Sequence, residues 1–391
     1  MKIIFKNILY KIYKIVFAAV GKILPRNDNL IIFESFLGRQ YSDNPRAIYE
    51  YLMEKYPSYN MYWSIDKKYA NNFKNFDIKY AYRFSLKWMF LMNRAKYWVV
   101  NSRLPLWIPK PKNTIYIQTW HGTPLKKLGM DIEEVHMPNT NTERYKQNFT
   151  KEASKWDYLI SPNKYSTEIF KRAFRFNNSI IETGYPRNDY LINKNTKEEI
   201  KLIKDRLNLP LDKKIILYAP TWRDNQYYEK GRYKFQINLD LDTLKKELGD
   251  EYIFILRLHY LIAEKLNFSN YKHFIYDFSY HDDIRELYLI SDLLITDYSS
   301  VFFDYANLKR PMIFYVFDIE DYRDKLRGFY FDFEKNAPGP LVKNTNELIK
   351  AIRNIEQTFD EQDLTTFYNK FCYLEDGRST ERVVNYIFKN K

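Results

Sequence analysis

The chain of 391 residues is poor in cysteine and glycine. Its single cysteine, Cys372, allows no disulfide within the chain and no cysteine-based metal cluster, which excludes a disulfide-stapled fold. Only 10 glycines are present, and the GxGxxG and GxxxxGK[ST] fingerprints of dinucleotide-binding and P-loop proteins are absent. Hydrophobic residues make up 45% and charged residues 28%, which excludes a disordered chain and allows two folded domains.

Basic residues outnumber acidic ones, with 62 Lys and Arg against 49 Asp and Glu and a net charge of +13. Six of the basic residues precede the first acidic residue, Asp28, and the remainder of the chain is still basic. A basic protein suits a phosphate-rich partner such as nucleic acid, an anionic membrane or a polyphosphate. The amino-acid usage of an AT-rich genome gives a similar excess of lysine, so charge alone selects none of these partners.

Residues 1–28 form the first predicted segment. Apolar side chains recur there at three- and four-residue spacing with lysines between them, which predicts an amphipathic helix over residues 1–24. The lysines make this helix unsuitable for spanning a bilayer and disfavour a cleavable signal peptide. A basic face beside an apolar face favours a helix lying on an anionic membrane surface. The alternative is a first helix packed on the body of the protein.

From residue 29 onward, short apolar runs alternate with amphipathic helical patterns, the first of which covers residues 45–56 with Asn44 as its predicted N-cap. Alternating strands and helices with apolar strands predict parallel sheets covered on both faces. We therefore predict an α/β protein with two Rossmann-like domains, residues 29–195 and residues 196–391, the second ending in C-terminal helices. Ligands of such domains bind in a cleft at the carboxyl ends of the strands.

The first candidate site follows the strand TIYIQTW. His121 at this strand end can accept a proton near neutral pH, and Gly122 lets a ligand approach the backbone. Pro124 is expected to open a helix whose free N–H groups attract an anion. The alternative for His121 is a structural histidine with satisfied hydrogen bonds.

Further candidates follow strands of the second half. Arg257 and His259 are two residues apart in ILRLH, so both project from one side of the strand and can converge on a phosphate. Ser299 and Ser300 come where a helix is expected to begin, so their hydroxyls and backbone N–H groups can bind a phosphate. Asp304 shares a helix face with Ser300 and can reach a sugar hydroxyl. N-capping serines and a solvated aspartate are the alternative.

Two more strand ends, YAPTWRD and ETGYPRND, supply Pro220, Thr221 and Arg187. Asp240 and Asp242 form a DxD pair, as in metal-dependent glycosyltransferases, but the DTLKKEL pattern favours a helix N-cap there. The histidines lack metal-ligand spacing and no GxSxG motif occurs, so neither metal nor acyl-enzyme chemistry is predicted. Phosphate-binding groups, histidines and no metal site favour transfer from a nucleotide-activated donor.

An ordered set of motifs resembles the CDP-glycerol glycerophosphotransferases of teichoic acid synthesis: WHGTPLKKLG, TGYPRND, YAPTWRD, ILRLHYL, SDLLITDYSSVFFDY, LRGFY, PGP and LEDG. The resemblance runs from about residue 33 to residue 379. It implies a GT-B fold and a peripheral enzyme on the cytoplasmic face of the cell membrane.

The same resemblance implies transfer of glycerol phosphate from CDP-glycerol to a hydroxyl of a lipid-linked wall precursor, with release of CMP. The implied acceptor is an undecaprenyl-diphosphate-linked disaccharide or its glycerophosphorylated form. An anionic membrane surface is an expected partner, whereas nucleic acid, a cofactor and a metal ion are not. The large polymerases carry a long extra N-terminal region, so its absence here favours a primase or a short-chain elongating enzyme.

Roles for single residues also follow from the resemblance. His121 is the implied general base, while His259 is implied to hold the diphosphate together with Arg257 and to help CMP leave. The other implied CDP-glycerol-binding residues are Gly122, Thr123, Pro124, Leu125, Arg187, Pro220, Thr221, Leu258, Ser299, Ser300 and Asp304.

Other functions stay open at this point. Ribitol enzymes of teichoic acid synthesis share these motifs, so CDP-ribitol is the alternative donor, and a conventional GT-B enzyme would turn over UDP- or GDP-sugars. From a different class, a non-catalytic protein that binds anionic membranes or nucleic acid would also explain the basic charge. Such a protein would show binding that falls steeply with salt and no turnover of any CDP-alcohol.

Overall fold

The computed structural model describes residues 2–135, 140–221, 227–229, 232–233, 237–258, 267–323 and 328–389. The chain forms two compact units, each assembled from separate stretches of sequence. Unit 1 comprises Met1–His121, Lys146–Asp189 and Arg378–Lys391, and unit 2 comprises Gly122–Tyr145 and Tyr190–Gly377. The sequence-based division at residues 28 and 195 stays a prediction.

Unit 1 is built on a seven-stranded sheet in which neighbouring strands are parallel. Its strands are β1 (Asn27–Glu34), β2 (Asn60–Ile65), β3 (Tyr80–Tyr82), β4 (Ala95–Val100), β5 (Ile115–Gln118), β6 (Tyr158–Ser161) and β7 (Ser179–Glu182). Their order in the sheet is β3-β2-β1-β4-β5-β6-β7, so the direction of winding reverses between β1 and β4. Glu34 pairs with Val100, and Val100 pairs with Gln118. The strands β1, β4 and β5 therefore end at the same level, and the segments that follow them are neighbours.

Five helices precede or connect these strands. They are α1 (Lys2–Ile23), α2 (Asp43–Lys55), α3 (Leu86–Arg94), α4 (Thr142–Ala153) and α5 (Lys164–Phe174). The C-terminal helix Ser379–Val384 and the π-helical turn Asn385–Lys389 also belong to unit 1, where Val383 and Val384 join Ile48 and Leu52 of α2 in one apolar core. Strand β1 is buried on both faces, as expected for a parallel sheet with covered faces.

The start of α2 differs from the sequence-based prediction. The predicted N-cap, Asn44, is wrong, because the helix begins at Asp43 and Ser42 occupies the N-cap position. Asn44 lies instead in the first turn, fully buried, and its side chain bonds to backbone carbonyls outside the helix. These tertiary partners replace the local capping bond that the sequence favoured.

The predicted N-terminal helix is present as α1, and it is partly packed on unit 1. Phe17 is fully buried against Trp88 and Trp107, and burying such an aromatic side chain contributes roughly 2 kcal/mol. The exposed apolar side chains of α1 are Ile8, Leu9, Ile12, Ile15, Val16 and Ile23. In the described ranges, no helix has both the length and the apolar character needed to cross a membrane.

Unit 2 is built on a six-stranded parallel sheet and a small antiparallel pair, β9 with β10. Its strands are β8 (Lys214–Tyr218), β9 (Tyr227–Glu229), β10 (Arg232–Tyr233), β11 (Tyr252–Leu256), β12 (Ile275–Asp277), β13 (Leu293–Thr296), β14 (Met312–Tyr315) and β15 (Leu341–Val342). The sheet order is β12-β11-β8-β13-β14-β15. Leu256 pairs with Tyr218 and Tyr218 with Ile295, so β11, β8 and β13 end at the same level.

The helices of unit 2 are α6 (Asp189–Asn193), α7 (Lys197–Arg206), α8 (Leu241–Leu248), α9 (Ile284–Ile290), α10 (Val301–Tyr305), α11 (Ile319–Asp321), α12 (Phe333–Asn336), α13 (Thr345–Arg353), α14 (Ile355–Thr358) and α15 (Glu361–Phe371). Short 3₁₀ turns occupy residues 129–131, 269–271 and 306–308 of this unit, and residues 67–73 and 186–188 of unit 1. Asp240 caps α8, because its carboxylate accepts from the Thr243 N–H at 3.1 Å. This confirms the N-cap interpretation of the DxD pair.

Candidate functional site

His121 follows β5 in unit 1, directly after the buried residues Thr119 and Trp120. Trp120, directly before it, has φ of +53°, a left-handed conformation that bulky residues rarely adopt. The Trp120 N–H donates to the side-chain oxygen of Gln118 at 3.0 Å, and its ring stacks on the imidazole with centroids 4.6 Å apart. The turn therefore holds the imidazole ring against an aromatic face at the carboxyl end of the sheet.

Asn101, the residue directly after strand β4, determines which ring nitrogen of His121 carries the proton. Nδ1 of His121 lies 2.6 Å from the carbonyl oxygen of Asn101. A carbonyl oxygen can only accept a hydrogen bond, so Nδ1 carries the proton and the neutral ring has its lone pair on Nε2. Among the described residues, none forms a hydrogen bond with Nε2. This is the tautomer that a general base needs.

The surroundings of His121 also favour its neutral form. Its side chain is exposed, yet the protein atoms around the ring displace enough water that desolvation lowers the pKa below the usual 6.5. The hydrogen bond to Asn101 and the Asp43 carboxylate oppose this decrease in the pKa of His121, whereas Arg187 and Arg103 add to it. At neutral pH the imidazole is therefore ready to accept a proton.

Asn44 connects the His121 turn to the rest of unit 1. Its amide nitrogen donates to the carbonyl oxygens of Thr119 at 3.3 Å and Trp120 at 3.2 Å, and its amide oxygen accepts from the Arg187 N–H at 3.1 Å. One buried side chain thus fixes the backbone directly before His121 and the segment that contains Arg187.

Arg187 and Asp43 form a buried ion pair in unit 1, with Nη1 of Arg187 3.2 Å from Oδ1 of Asp43. The guanidinium also lies over the Tyr185 ring at 4.4 Å. Both charges act on the pKa of His121, so the structure groups Arg187 with His121. The CDP-glycerol-binding role that the family resemblance implies for Arg187 stays a prediction.

In unit 2, the structure brings Gly122 of the HGTPL motif against Ser300 of the DYSS motif. A Cβ atom on Gly122 would lie 2.7 Å from the Ser300 hydroxyl oxygen and 3.2 Å from its Cβ, closer than real Cβ contacts. The Ser300 side chain makes no capping bond at the start of α10. The Ser300 hydroxyl therefore lies beside the backbone of Gly122, and the phosphate contact predicted for Ser300 stays a prediction.

The expectation that Pro124 opens a helix is wrong. In the described part of the chain, no helical turn occurs between Gly122 and Leu128, and this stretch pairs with residues 328–330. The Lys127 N–H donates to the Gly328 carbonyl at 3.2 Å, and the Tyr330 N–H donates to the Leu125 carbonyl at 2.8 Å. The backbone is used in this pairing, so the stretch supplies no helix N-terminus. Thr123, Pro124 and Leu125 are all buried.

Three neighbouring strands of unit 2 carry the other predicted residues at their carboxyl ends. Pro220 and Thr221 follow β8, Arg257 and Leu258 follow β11, and the two serines follow β13. The Thr221 N–H donates to the carboxylate of buried Asp297 at 2.8 Å, which ties the end of β8 to the end of β13. The predicted positions therefore converge on one edge of the sheet in unit 2.

Arg257 is strongly engaged within unit 2. Its Nη1 donates to the carbonyl oxygens of Phe278 at 2.9 Å, Ser279 at 2.8 Å and His281 at 2.6 Å. Desolvation lowers the pKa of its guanidinium, which still stays charged. The structure thus gives Arg257 a part in holding the 278–281 loop. His259, the second predicted catalytic residue, lies outside the described residues.

Asp304 sits within α10 and is 8% exposed. Its charge contributes to raising the pKa of the buried Cys372 thiol, for which desolvation is the largest cause. The carboxylate is therefore near the 372–375 segment, and its predicted contact with the nucleotide stays a prediction.

Comparison with known proteins identifies the family. The family model of CDP-Glycerol:Poly(glycerophosphate) glycerophosphotransferase matches residues 16–389. The chain belongs to this family. It is 64% identical over 385 residues to a teichoic acid poly(glycerol phosphate) polymerase of Bacillus subtilis (strain 168), covering 98% of this chain but only 52% of that relative.

Two other comparisons extend over nearly the whole of both proteins. The teichoic acid glycerol-phosphate transferase of Staphylococcus aureus (strain NCTC 8325 / PS 47) is 49% identical, with 98% of this chain and 100% of the relative covered. A solved structure of the wall teichoic acid polymerase TagF has a TM-score of 0.90 at 44% identity, covering 98% of this chain and 95% of that one. The predicted α/β, GT-B-like fold and the predicted glycerophosphotransferase class are confirmed.

The family assignment rests on sequence and structural similarity and not on a metal centre. Within the described residues, no group of three or more His, Cys, Asp or Glu side chains could hold a metal ion. The predicted site residues at the strand ends include Arg, His, Ser and Thr side chains, which suit an anionic phosphate substrate.

Sequence reasoning did not single out Asn101 and Asp297, which bond to His121 and Thr221, and it assigned Asn44 only a capping role. Asn101 directly follows β4 and Asp297 directly follows β13, so the strand-end rule could have found both. The same rule could not have found Asn44, because an asparagine at the start of a helix is ordinarily interpreted as an N-cap.

Proposed function

We propose that this protein transfers glycerol phosphate from CDP-glycerol to a terminal hydroxyl of a lipid-linked teichoic acid precursor, with release of CMP. The single observation that carries the proposal is the hydrogen bond from Nδ1 of His121 to the Asn101 carbonyl oxygen. That bond leaves Nε2 unprotonated, which suits it to accept the proton of an attacking hydroxyl. In support of the donor, a structure of a TagF variant comes from a soak with CDPG.

In the proposed step, the acceptor oxygen forms a bond with the phosphorus atom that carries the glycerol. The bond from this phosphorus to the bridging oxygen breaks, and CMP leaves with that oxygen and the electron pair. The hydroxyl proton passes to Nε2 of His121. Phosphoryl transfer of this kind depends mainly on positioning and on neutralising charge. Ser299, Ser300, Thr221 and the 122–125 backbone are the proposed phosphate contacts, with His259 assisting the leaving CMP.

We propose elongation rather than priming, so that the preferred acceptor already carries a glycerol phosphate unit. Relatives named for the polymerase and the transferase are 64% and 49% identical to this chain. A Bacillus subtilis relative named teichoic acid glycerol-phosphate primase is only 30% identical. The number of units added is not part of the proposal.

CDP-glycerol is the proposed donor in preference to CDP-ribitol. A Bacillus spizizenii relative named teichoic acid poly(ribitol-phosphate) polymerase is 32% identical, half the value for the glycerol relative. Donor choice depends on pocket contacts, so both donors are compared in the test below.

The proposed place of action is the cytoplasmic face of the cell membrane, with α1 on the lipid surface. In support, α1 exposes isoleucines that include Ile15 (70%) and Ile23 (79%), beside Lys11 and Lys22, which are also exposed. An amphipathic helix of this kind binds an anionic leaflet through buried apolar area and lysine charge together.

The test is CMP release by the purified full-length protein with each CDP-alcohol. The acceptors are a lipid-linked disaccharide and its singly glycerophosphorylated product. We expect turnover with CDP-glycerol and the glycerophosphorylated acceptor, and little with CDP-ribitol. Preference for the unmodified disaccharide would replace elongation by priming. No turnover with either donor, in folded protein that binds vesicles, would contradict the proposed function and favour the non-catalytic alternative.

A further inference from the structure

A groove of about 550 Å³ lies in unit 1 between the C-terminal turns of α1 and the 109–114 segment. Every charged side chain that lines this groove is a cation, and these side chains are Lys22, Arg26, Lys110 and Lys112. The other lining residues are neutral, so the groove offers an environment suited to an anion.

Two of these cations, Arg26 and Lys110, hold the walls of the groove in place. Arg26 bonds to Asp28 at 2.7 Å and donates from Nη1 to the Asn113 carbonyl oxygen at 2.7 Å. These bonds tie the chain after α1 to the 109–114 segment, so the walls are held in place before any ligand arrives.

Lys110 fixes the other end of the same segment. Its Nζ contacts both carboxylate oxygens of Asp157, at 2.8 and 2.7 Å, and donates to the Thr114 carbonyl oxygen at 3.2 Å. The charges of Lys110 and Arg26 are thus largely balanced by acidic partners.

The remaining two cations are not balanced. Neither Lys22 nor Lys112 has an ion-pair or hydrogen-bond partner in the part of the chain that the structure describes, and both are exposed. Both ammonium groups line the same preformed groove, so their charges are available to an anion that enters it.

The floor of the groove depends on a close approach of α1 to α3. A Cβ on Gly21 would clash with the side-chain oxygen of Asn93, so glycine allows the two helices to meet there. Next to the groove, Ile23 is 79% exposed, and it continues the exposed apolar face of α1. A phosphate in the groove would therefore lie at the boundary between an apolar surface and a cationic one.

We propose that this groove binds the phosphate of an anionic membrane lipid headgroup. That boundary is where a lipid presents its phosphate, directly above the acyl chains into which an apolar helix face is buried. The site lies in unit 1 on elements that carry none of the proposed catalytic residues. The inference rests on the proposed membrane placement of α1, and it adds a specific contact to a general attraction by charge.

The test is sedimentation of the full-length protein with vesicles of phosphatidylcholine alone or mixed with phosphatidylglycerol. The variant is Lys22→Gln with Lys112→Gln, and its matched control is Lys67→Gln with Lys68→Gln, which removes the same charge from two exposed lysines of unit 1. We expect the groove variant to lower partitioning onto phosphatidylglycerol vesicles about 30-fold, which corresponds to a loss of roughly 1 kcal/mol at each of the two lysines. Lys22→Arg with Lys112→Arg should restore binding.

Several outcomes would overturn the inference. Equal losses in the groove variant and the control would mean diffuse charge rather than a site. A third outcome combines two observations: ³¹P line broadening shows that inorganic phosphate saturates the groove, and the groove variant binds vesicles as well as the unaltered protein does. This outcome would mean that the groove binds a soluble anion instead of a lipid. Failure of the unaltered protein to bind vesicles would reject the placement of α1 on the membrane. CMP release by the same protein in detergent tests the proposed reaction separately.

Discussion

The side-chain amide of Asn44 donates to the carbonyl oxygen of Trp120, the residue directly before His121, at 3.2 Å. Trp120 has a positive φ, which costs backbone energy and persists only where surrounding contacts hold it. Asn44 supplies such a contact from another helix, and the same side chain accepts the Arg187 N–H. The direction in which His121 points is therefore determined by a residue far away in sequence.

This relationship predicts that Asn44 acts as a positioning residue. Asn44→Ala removes the contacts to both carbonyls, and we expect kcat for CMP release to fall roughly 10- to 100-fold with little change in KM for CDP-glycerol. Thermal unfolding should show a loss of about 1–3 kcal/mol. The matched control is Asn72→Ala, since Asn72 also donates to a backbone carbonyl of unit 1, that of Arg39. Equal kinetic effects in both variants would argue against positioning.

Replacing the proposed base gives the second prediction. His121→Ala should reduce kcat/KM by about 10²–10⁴-fold while the protein still folds, because one general base is lost. His273→Asn is the control, as His273 is an exposed histidine with φ of +65°, a conformation that asparagine tolerates. Near-normal CMP release by His121→Ala, with an unchanged circular dichroism spectrum, would remove His121 from the mechanism.

The contact between Gly122 and Ser300 gives a prediction that a double-mutant cycle can test. Gly122→Ala should destabilise the protein by about 1–3 kcal/mol, because its Cβ would press on the Ser300 hydroxyl oxygen at 2.7 Å. Ser300→Ala removes that oxygen, so the double variant should be more stable than the sum of the two single changes implies. Additive changes in the urea midpoint would mean that the two residues do not touch.

Burial of Glu152 predicts an unusual pH dependence of stability. Its carboxylate is 1% exposed, accepts from the Tyr116 hydroxyl at 2.7 Å and from the Trp156 indole at 2.8 Å, and desolvation raises its pKa from 4.5 to about 7. At a pH between these two pKa values, Glu152 is protonated in the folded state and ionised in the unfolded state. The free energy of unfolding should therefore decrease as the pH rises from the lower to the higher pKa.

The size of this effect is roughly 2–4 kcal/mol between pH 4.5 and pH 7. Glu152→Gln cannot titrate, so its stability should lack this decrease. The measurement is urea unfolding of both proteins across the window, and the difference between them isolates Glu152 from groups such as His121, whose lowered pKa acts in the opposite direction. Parallel curves would show that Glu152 is ionised throughout.

A final prediction concerns metal ions. CMP release should persist in excess EDTA, because Ser and Thr hydroxyls and backbone groups are proposed to bind the diphosphate while His259 assists the leaving CMP. The control is a metal-dependent phosphotransferase assayed in the same buffer. An absolute requirement for Mg²⁺ would require carboxylate ligands that sequence reasoning did not identify.

The sequence by itself determined the order of strands and helices, the α/β class and most of the strand-end positions. These follow from local patterns: apolar runs form buried strands, and the candidate residues His121, Arg257 and Ser300 follow three of them. The ordered motifs also indicated the family, because they are read directly from the residues and need no tertiary contact.

Only the tertiary structure decided which residues set the properties of those positions. Asn44 looked like a helix cap but instead bonds to the backbone before His121. Pro124 looked like a helix start but lies in a non-helical stretch that bonds to Gly328 and Tyr330. The tautomer and the lowered pKa of His121 depend on Asn101 and on desolvation. Local propensity cannot anticipate such contacts, because their energy comes from burial and from partners that only the folded chain brings within hydrogen-bonding distance.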